Sequence, residues 1–372
     1  MISMRIARGG FLSVLWISLA TAAMPLCDYQ SPLTDLSDLA LSFAYQYTND
    51  PYGSAERDTN VGWFAVDYTR IYDTAEYGFD IEFESEMEVS LLDLSQYTTV
   101  ADGNYKRYWI EDSDAFAFAG ASARSSSSFA LLGVSLTAGL GYGRFADVTP
   151  LALATRIEDE LVRTRALSGP LHPVDLQILA YELESAETYE SLAALLSAVQ
   201  EIIEGSGRAR SGGLNAVDLS RLTKLIEEEG FSRYCGWDVK LGAGFELLDP
   251  SGGPRDLLLS AGFNYAFTTT PNAQLLVRGS LSGPLSIKDT NRVDFSATYD
   301  YLITRFLELR VGYAFSRETW VAEPTDIHRI TLDLVLTPLE QAGVTLGISL
   351  ERRPYYLEWL TDVRFSISMD LV

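Results

Sequence analysis

The sequence predicts an all-β membrane fold, an up-and-down antiparallel transmembrane β-barrel of about 12 to 14 strands with an α-helical insertion. Three observations support this prediction. Apolar and polar residues alternate over most of the 372 residues, as they do in strands that separate two media. The segment 150–230 instead has helical periodicity. No apolar run after the N-terminal segment reaches the roughly 18 residues of a transmembrane helix.

The composition excludes several classes of protein. There are 28 Lys and Arg residues against 51 Asp and Glu residues, and the formal net charge of −23 argues against any nucleic-acid partner. Hydrophobic residues make up 47% and aromatic residues 12% of the chain, which is too apolar for an intrinsically disordered protein. Two Cys and two His are too few for a disulfide-rich scaffold or a dedicated zinc site. We therefore expect no metal and no cofactor.

Residues 1–23 have the order of a secretory signal peptide. Arg5 and Arg8 precede an apolar run that ends in small residues, and cleavage is expected after Ala22 or Ala23. The apolar run is shorter than the roughly 20 residues of a spanning helix, which argues against a membrane anchor. The residues before the first cysteine do not resemble a lipidation signal. We expect export through the Sec pathway.

The alternation is clearest in the C-terminal part of the chain. From Leu307 to Phe315 every odd position is apolar, whereas the even positions carry Glu, Arg, Gly or Ala. Similar runs begin at Tyr77, Leu132, Leu257, Val293, Ile330, Val344 and Val363. Turn-forming residues separate these runs, and from Tyr234 onward long connections alternate with tight ones. This rhythm indicates short turns at one end of a barrel and longer loops at the other.

Thirteen candidate strands divide between an N-terminal part of the barrel (24–149) and a C-terminal part (231–372). They lie at 38–48, 61–73, 76–92, 104–121, 128–145, 232–248, 256–269, 272–283, 291–303, 305–318, 327–337, 342–352 and 358–371. An odd number cannot place both chain ends on one side of the membrane. One candidate is therefore wrong or one strand is missed, which leaves the choice between twelve and fourteen strands open.

A soluble sandwich also alternates, so other features must distinguish it from a membrane barrel. Many runs reach the roughly 9 to 11 residues that a tilted transmembrane strand needs. Tyr and Trp residues cluster near the ends of runs, as interfacial girdles do: Tyr45, Tyr47, Trp63, Tyr108, Trp109, Tyr234, Trp237, Trp320, Tyr355, Tyr356 and Trp359. The polar face carries Gly, Ser, Asp, Arg and Thr rather than only Lys and Glu. These features favour the membrane barrel.

With these features the chain resembles bacterial outer-membrane β-barrel proteins in general architecture, except over residues 1–23 and 150–230. The resemblance implies a location in the outer membrane, contact with membrane lipid and lipopolysaccharide, and insertion by the outer-membrane assembly machinery. Many such barrels end in Phe, whereas this chain ends in Asp370-Leu371-Val372. We interpret this ending as a variant of the assembly signal.

The segment 150–230 is expected to form four short amphipathic helices. Thr149-Pro150 and His172-Pro173 are typical helix starts, and Gly230 is expected to end the last helix. The loop rhythm places the following strand's start, and therefore this insertion, on the periplasmic side. Three interpretations remain open: a bundle below the barrel, a plug within the lumen, or a docking surface for a periplasmic protein.

Acidic residues alternate with apolar ones along one predicted strand. Asp80, Glu82, Glu84, Glu86 and Glu88 would share the lumen face, because side chains two residues apart lie on the same face of a strand. They are candidate pore-lining residues, together with the cations Lys240, Arg278, Arg310 and Arg364. Either the acidic row attracts cations into the pore, or these Lys and Arg residues neutralise it.

Two further motifs do not indicate chemistry. Gly141, Gly143 and Ala146 match a dinucleotide-binding pattern, but no βαβ unit follows them. Lumen-facing glycines would instead leave room for a plug or a neighbouring segment. His172 and His328 have no Ser or Asp arrangement of a catalytic triad around them, and we predict no enzyme.

Cys27 and Cys235 are a candidate disulfide, because both are expected on the oxidising periplasmic side of the membrane. One observation argues against the pair. Cys235 shares its strand parity with Trp237 and Val239, which would turn its side chain towards lipid.

The leading functional prediction is porin-like passage of small cationic or neutral solutes through the outer membrane. Charged rows on the lumen face would set the selectivity of such a pore. The alternative is a non-conducting barrel that anchors the helical insertion as a periplasmic scaffold or partner-binding module.

Overall fold

The computed structural model describes residues 25–29, 31, 33–48, 59–90, 93–109, 113–227, 232–249, 252, 256–284, 291–304, 306–319, 324–339, 342–352 and 359–369. The predicted signal peptide and the residues that end the chain lie outside this part.

Fourteen strands are present in the described part of the chain. In chain order they are β1 Leu33–Thr48, β2 Thr59–Thr74, β3 Tyr77–Ser90, β4 Asp93–Tyr108, β5 Ala115–Ser126, β6 Gly133–Asp147, β7 Tyr234–Leu248, β8 Leu257–Thr270, β9 Ala273–Pro284, β10 Asn291–Thr304, β11 Leu307–Thr319, β12 Pro324–Leu339, β13 Ala342–Arg352 and β14 Leu360–Met369. They form one antiparallel sheet in the order β1 to β14, so each strand pairs with the next along the chain. The strands β1 and β14 approach each other, although the described residues form no ladder between them. The predicted up-and-down topology is confirmed, with fourteen strands rather than twelve.

The strand that the sequence prediction misses is β4. The candidate at 104–121 joins the end of β4 to the beginning of β5, whereas β4 ends at Tyr108 and β5, antiparallel to it, starts at Ala115. Outward positions of β4 carry small residues, among them Thr99, Ala101 and Gly103. Because β4 lacks a row of large apolar side chains, its alternation is weak in the sequence.

The two faces of the sheet differ in chemistry. Outward side chains are large, apolar and exposed, with 62% of Leu241 and 66% of Val363 accessible. Inward positions carry charged, amide and hydroxyl groups, as Asp238 and Lys240 do in β7. A continuous exposed apolar surface of this kind is typical of a surface that contacts lipid.

The two ends of the sheet differ in the length of their connections. At one end strands are joined at 75–76, 109–114, 271–272, 305–306 and 340–341, and most of these connections are two residues long. At the other end the connections span 49–58, 91–92, 127–132, 249–256, 285–290, 320–323 and 353–359, and most of these are longer. The chain between β6 and β7 leaves and re-enters the sheet at the first of these ends, here called the short-turn end.

Helices between β6 and β7 form a bundle at the short-turn end. They are α1 Thr149–Arg163, α2 Pro173–Glu184, α3 Leu192–Gly205 and α4 Ala216–Ile226. Their apolar faces bury one another around Leu151, Ile157, Leu161, Leu179, Val199, Ile203 and Leu222. Among the described helices none is both long and apolar enough to cross a membrane. The predicted helix stop at Gly230 falls outside the described residues.

Side chains cap most of these helices at their starts. His172 accepts a backbone amide at the start of α2, and Asn215 does so for α4. Helix α1 starts at the predicted Thr149-Pro150, but Thr149 is the first helical residue rather than the N-cap that its sequence pattern suggests, and Asp147 Oδ1 accepts its amide at 2.8 Å. Thr149 Oγ1 instead accepts the backbone N–H of Arg233 at 2.8 Å. This bond ties the start of α1 to the residue before β7.

Residues 25–31, here called the N-terminal strap, connect the bundle to the sheet. A 3-10 turn at Leu26–Asp28 lies against β7 and β8. Tyr29 is fully buried, and its hydroxyl donates to Glu184 Oε2 of α2 at 2.7 Å. Burial and this hydrogen bond both raise the pKa of Tyr29, so the phenol keeps the proton that it donates.

A disulfide between Cys27 and Cys235 fixes the strap to β7, with the two Cα atoms 5.2 Å apart. The parity argument against this pair fails because Cys235 lies near the start of β7 at the short-turn end, where the bundle and the strap cover it. Cys235 is consequently buried in the core of the bundle rather than exposed to lipid.

Candidate functional site in the lumen

The predicted acidic row lies on the inward face of β3. In the register of the sheet, Glu82 lies between Thr69 of β2 and Asp102 of β4, and Glu84 lies beside Asp67 of β2. Carboxylates from three adjacent strands therefore share one side of the lumen. We call Asp67, Asp80, Glu82, Glu84 and Asp102 the acidic wall.

Lys240 of β7 reaches across the lumen to this wall. Its Nζ lies 3.1 Å from Asp80 Oδ1, and Asn104 Nδ2 donates to the other oxygen of the same carboxylate at 2.8 Å. Since β4, β5 and β6 separate β3 from β7 in the sheet, the ion pair crosses the interior. One member of the acidic row is thus neutralised.

The other predicted lumen cations differ in their surroundings. Arg310 donates to Asp300 Oδ1 at 3.0 Å and to Glu308 Oε1 at 3.4 Å, so acidic residues of β10 and β11 neutralise it. Arg278 of β9 interacts electrostatically with Glu82 across the lumen. Arg364 lies in β14, and its side chain is outside the described part of the structure.

The last two acidic candidates lie towards the end with the longer loops. Glu86 is exposed, and Glu88 accepts a hydrogen bond from Ser95 Oγ at 2.9 Å. Like Glu82 and Glu84, neither forms an ion pair within the described residues, so much of the acidic row stays open to solvent.

A cavity of about 540 Å³ lies in the lumen, between Asp80 and Glu82 of the acidic wall and the strands β7 to β12. Its polar lining includes Thr69, Asp80, Glu82, Lys240, Asn264, Arg278, Ser280, Ser296 and Arg329. All the described residues that line it belong to strands, and none to α1–α4. The bundle does not plug this cavity.

A layer of buried charged and polar side chains lies in the lumen at the short-turn end. Asp73 is 3% exposed and accepts hydrogen bonds from Lys106 Nζ at 2.5 Å and from the Tyr108 hydroxyl at 3.0 Å. Thr34 Oγ1 of β1 accepts the backbone N–H of Asp147 at the end of β6, 3.1 Å away. We call this layer the lumen floor, and the strap and the bundle lie on its far side.

Aromatic side chains of β5 fill the space beside the inward-facing glycines of β6. Phe116 and Phe118 are both buried and lie opposite Gly141 and Gly139 in the register. A Cβ atom at Gly141 would collide with the ring of Phe116. Of the two alternatives for these glycines, the structure shows a neighbouring strand rather than a plug.

Sequence reasoning missed most of the lumen floor. Tyr108 is predicted at a membrane interface, yet it lies inside the lumen beside Lys106 and Phe116. Its parity with Asn104 and Lys106, within the candidate strand 104–121, is the sequence signal that places it on the inward face.

The remaining motifs do not form a site. Gly141 and Gly143 lie in β6, whose two neighbours are antiparallel, so the dinucleotide-binding pattern has no βαβ unit. His172 caps α2 through Nδ1, and His328 Nδ1 lies 3.0 Å from the Tyr313 hydroxyl. In the described part of the chain no group of three or more His, Cys, Asp or Glu side chains could hold a metal ion.

No protein-family model and no curated protein matches the chain. Among solved structures, the outer membrane protein OpdK from Pseudomonas aeruginosa is 10% identical, with 91% of this chain and 98% of that chain covered and a TM-score of 0.32. A BenF-like porin from Pseudomonas fluorescens is 10% identical, with 90% and 97% covered and a TM-score of 0.32. The CymD monoaromatic hydrocarbon channel is 11% identical, with 92% and 89% covered and a TM-score of 0.29. TM-scores this low assign the chain to no family.

Proposed function

We propose that the chain is an outer-membrane channel of the porin type, through which small solutes pass without chemical change. One observation carries the proposal: a charged, polar cavity lies inside a sheet whose outward face is apolar and exposed. A soluble protein would bury that apolar face, whereas a channel turns it to lipid and keeps its polar groups in the lumen.

The proposal also gives the chain an orientation in the membrane. Outer-membrane barrels have short periplasmic turns and longer outer loops, so the short-turn end, the strap and the bundle would lie in the periplasm. The outward face would contact membrane lipid and lipopolysaccharide after insertion by the assembly machinery. Residues 1–23 would direct export.

A preference for cations follows from the acidic wall. Glu82, Glu84 and Glu86 are exposed to the lumen and form no ion pair within the described residues, whereas Lys240 and Arg310 are paired. Unpaired carboxylates on one wall raise the local concentration of cations and lower that of anions.

The reversal potential under a salt gradient tests this preference in a planar bilayer. The wild-type protein should be cation-selective, and the triple variant Glu82→Gln, Glu84→Gln, Glu86→Gln should shift the reversal potential towards zero. Glu201→Gln removes a carboxylate from the exposed surface of α3 and serves as the control, which should behave like the wild type. An anion-selective wild type, or a triple variant with unchanged selectivity, would contradict the preference.

A non-conducting barrel that presents the bundle to a periplasmic protein is the second candidate. The lumen floor favours it, because Asp73, Lys106 and Tyr108 are buried where solutes would have to leave. The helix α2 also carries an exposed apolar stripe of Val174, Ile178 and Tyr181.

Replacing residues 150–230 by a flexible linker separates the two candidates. A channel should keep its conductance or gain some, whereas a scaffold should be silent with and without the bundle and should lose its periplasmic partner in a pull-down.

A further inference from the structure

The cavity contains one lining cation that has no carboxylate partner among the described residues. Its other lining cations are paired: Lys106 with Asp73 at 2.5 Å, Lys240 with Asp80 at 3.1 Å and Arg329 with Glu351 at 2.7 Å. Arg278 remains, exposed to the cavity and without an ion pair in this part of the structure.

Among the carboxylates that line the cavity, all but one likewise have a partner in the described residues. Three of them have partners: Asp80 binds Lys240 at 3.1 Å, Asp238 accepts from Asn264 at 2.9 Å and Asp294 binds Arg292 at 2.7 Å. Glu82 forms neither a hydrogen bond nor an ion pair within the described residues. Arg278, of opposite charge, lines the same cavity, and no ion pair joins the two side chains within the described residues.

Neutral polar groups lie beside both charges. In the register of the sheet, Arg278 lies between Asn264 of β8 and Ser296 of β10, and Glu82 lies between Thr69 of β2 and Asp102 of β4. These amide and hydroxyl groups line the same cavity and supply hydrogen-bond donors and acceptors next to each charge.

We propose that this cavity binds a small zwitterion, a molecule with one ammonium and one carboxylate group such as a free amino acid. The planar guanidinium of Arg278 can bind a carboxylate through two parallel hydrogen bonds, and Glu82 can accept an ammonium group. A zwitterion bridges the two opposed charges, which the protein itself leaves unbridged. A volume of about 540 Å³ has the size of small-molecule sites in general.

The inference deepens the proposed function, because the bound zwitterion would be the solute that passes. Binding itself does not require conduction, and the two are therefore measured separately on the same folded protein. Solute binding is measured by saturation-transfer NMR in detergent and conduction in a planar bilayer. Resistance of the barrel to unfolding on an unheated gel checks the fold of each variant.

Three probes of similar size distinguish the zwitterion site from a simple charged surface. L-serine carries both groups, propionate only the carboxylate and ethylammonium only the ammonium. We expect L-serine to bind about tenfold more tightly than either of the others, because each charged hydrogen bond contributes of that order. Propionate or ethylammonium binding as tightly as L-serine would overturn the proposal, and this comparison needs no variant.

Variants of Arg278 and Glu82 test whether these two residues form the binding site. Arg278→Gln and Glu82→Gln should each weaken L-serine binding about tenfold. The double exchange Glu82→Arg, Arg278→Glu should bind L-serine more tightly than either Gln variant, because both charges are restored with their positions reversed. Arg317→Gln on the outward face and Glu201→Gln on α3 are controls that should bind as the wild type does.

The outcomes also separate this inference from the proposed function. Conduction without L-serine binding overturns the zwitterion site and leaves the channel standing. L-serine binding without conduction supports the site and contradicts the channel. Binding that survives both Gln variants unchanged overturns the assignment to Arg278 and Glu82.

Discussion

Lys240 Nζ in β7 lies 3.1 Å from Asp80 Oδ1 in β3, although three strands separate the two residues along the sheet. The ion pair therefore spans the lumen. Asn104 donates to the second oxygen of Asp80 at 2.8 Å and holds the carboxylate in position. This pair limits the width of the lumen between the acidic wall and β7.

Replacing Lys240 by Met should open the lumen and release Asp80 as an unpaired carboxylate. We expect a larger single-channel conductance and a stronger cation preference. The lost charged hydrogen bond should also lower the stability of the protein by about 1–3 kcal/mol. Lys224→Met removes the same charge from the exposed surface of α4 and should change neither quantity. A smaller conductance in Lys240→Met would contradict this account of the pair.

Adding one methyl group at Gly141 should destabilise the protein. Its Cβ would collide with the ring of Phe116, which is fully buried, so Gly141→Ala should cost about 1–3 kcal/mol through overpacking. Gly103→Ala is the matched control, because no atom lies within 4 Å of its Cβ position. The Cβ added at Gly141 would also lie 2.7 Å from the backbone oxygen of Val239. Thermal unfolding followed on unheated gels compares the two variants, and equal stability would contradict this overpacking.

The sequence predicts much of the fold because lipid and water impose opposite demands on alternate residues. In β11, Leu307 and Leu309 face outward while Glu308 and Arg310 face inward, and this alternation is visible in the sequence. The middle of the outward face of β4 carries Thr99, Ala101 and Gly103 instead, so its period is weak and the strand is missed.

Pairing across the lumen is harder to predict than strand identity. Parity places Asp80 and Lys240 on the same face, but their contact depends on how far the sheet curves, which no local pattern encodes. The disulfide is a related case. Parity alone directs Cys235 outward, but parity does not show that the bundle and Cys27 cover this end of β7.

Breaking the disulfide should free the strap from β7. Cys27→Ser is expected to lower the stability of the strap and bundle by about 2–4 kcal/mol, because the bridge closes a long chain loop. Limited proteolysis should then cut near Tyr29, and a reducing agent should produce the same cleavage in the wild type. A strap that resists the protease equally well with and without the disulfide would show that Tyr29 and Glu184 suffice to hold it.

The stability of the bundle should depend on pH through Glu158 of α1. Glu158 is 9% exposed and accepts the backbone N–H of Leu171 at 2.8 Å. Burial raises the pKa of its carboxyl above the ordinary 4.5, and the hydrogen bond from Leu171 only partly opposes this. The protonated carboxyl of Glu158 therefore stabilises the folded bundle. This contribution to the stability is complete below pH 4.5 and is lost as the pH rises through the raised pKa of the folded state.

The variant Glu158→Gln can still accept the Leu171 amide but cannot ionise. At pH 7 we expect its helical circular dichroism to persist to a higher temperature than that of the wild type, with the difference vanishing near pH 4. The exposed control Glu201→Gln should follow the wild type at both pH values. A Glu158→Gln bundle that melts earlier than the wild type at pH 7 would refute the assignment.

The single-channel current of the detergent-folded protein in a planar bilayer tests the central claim most directly. A channel formed by the lumen of this sheet should give stepwise openings, and these should increase in size when Lys240→Met removes the ion pair to Asp80. A protein that inserts stably but stays silent, in the wild type and in Lys240→Met alike, would contradict the channel.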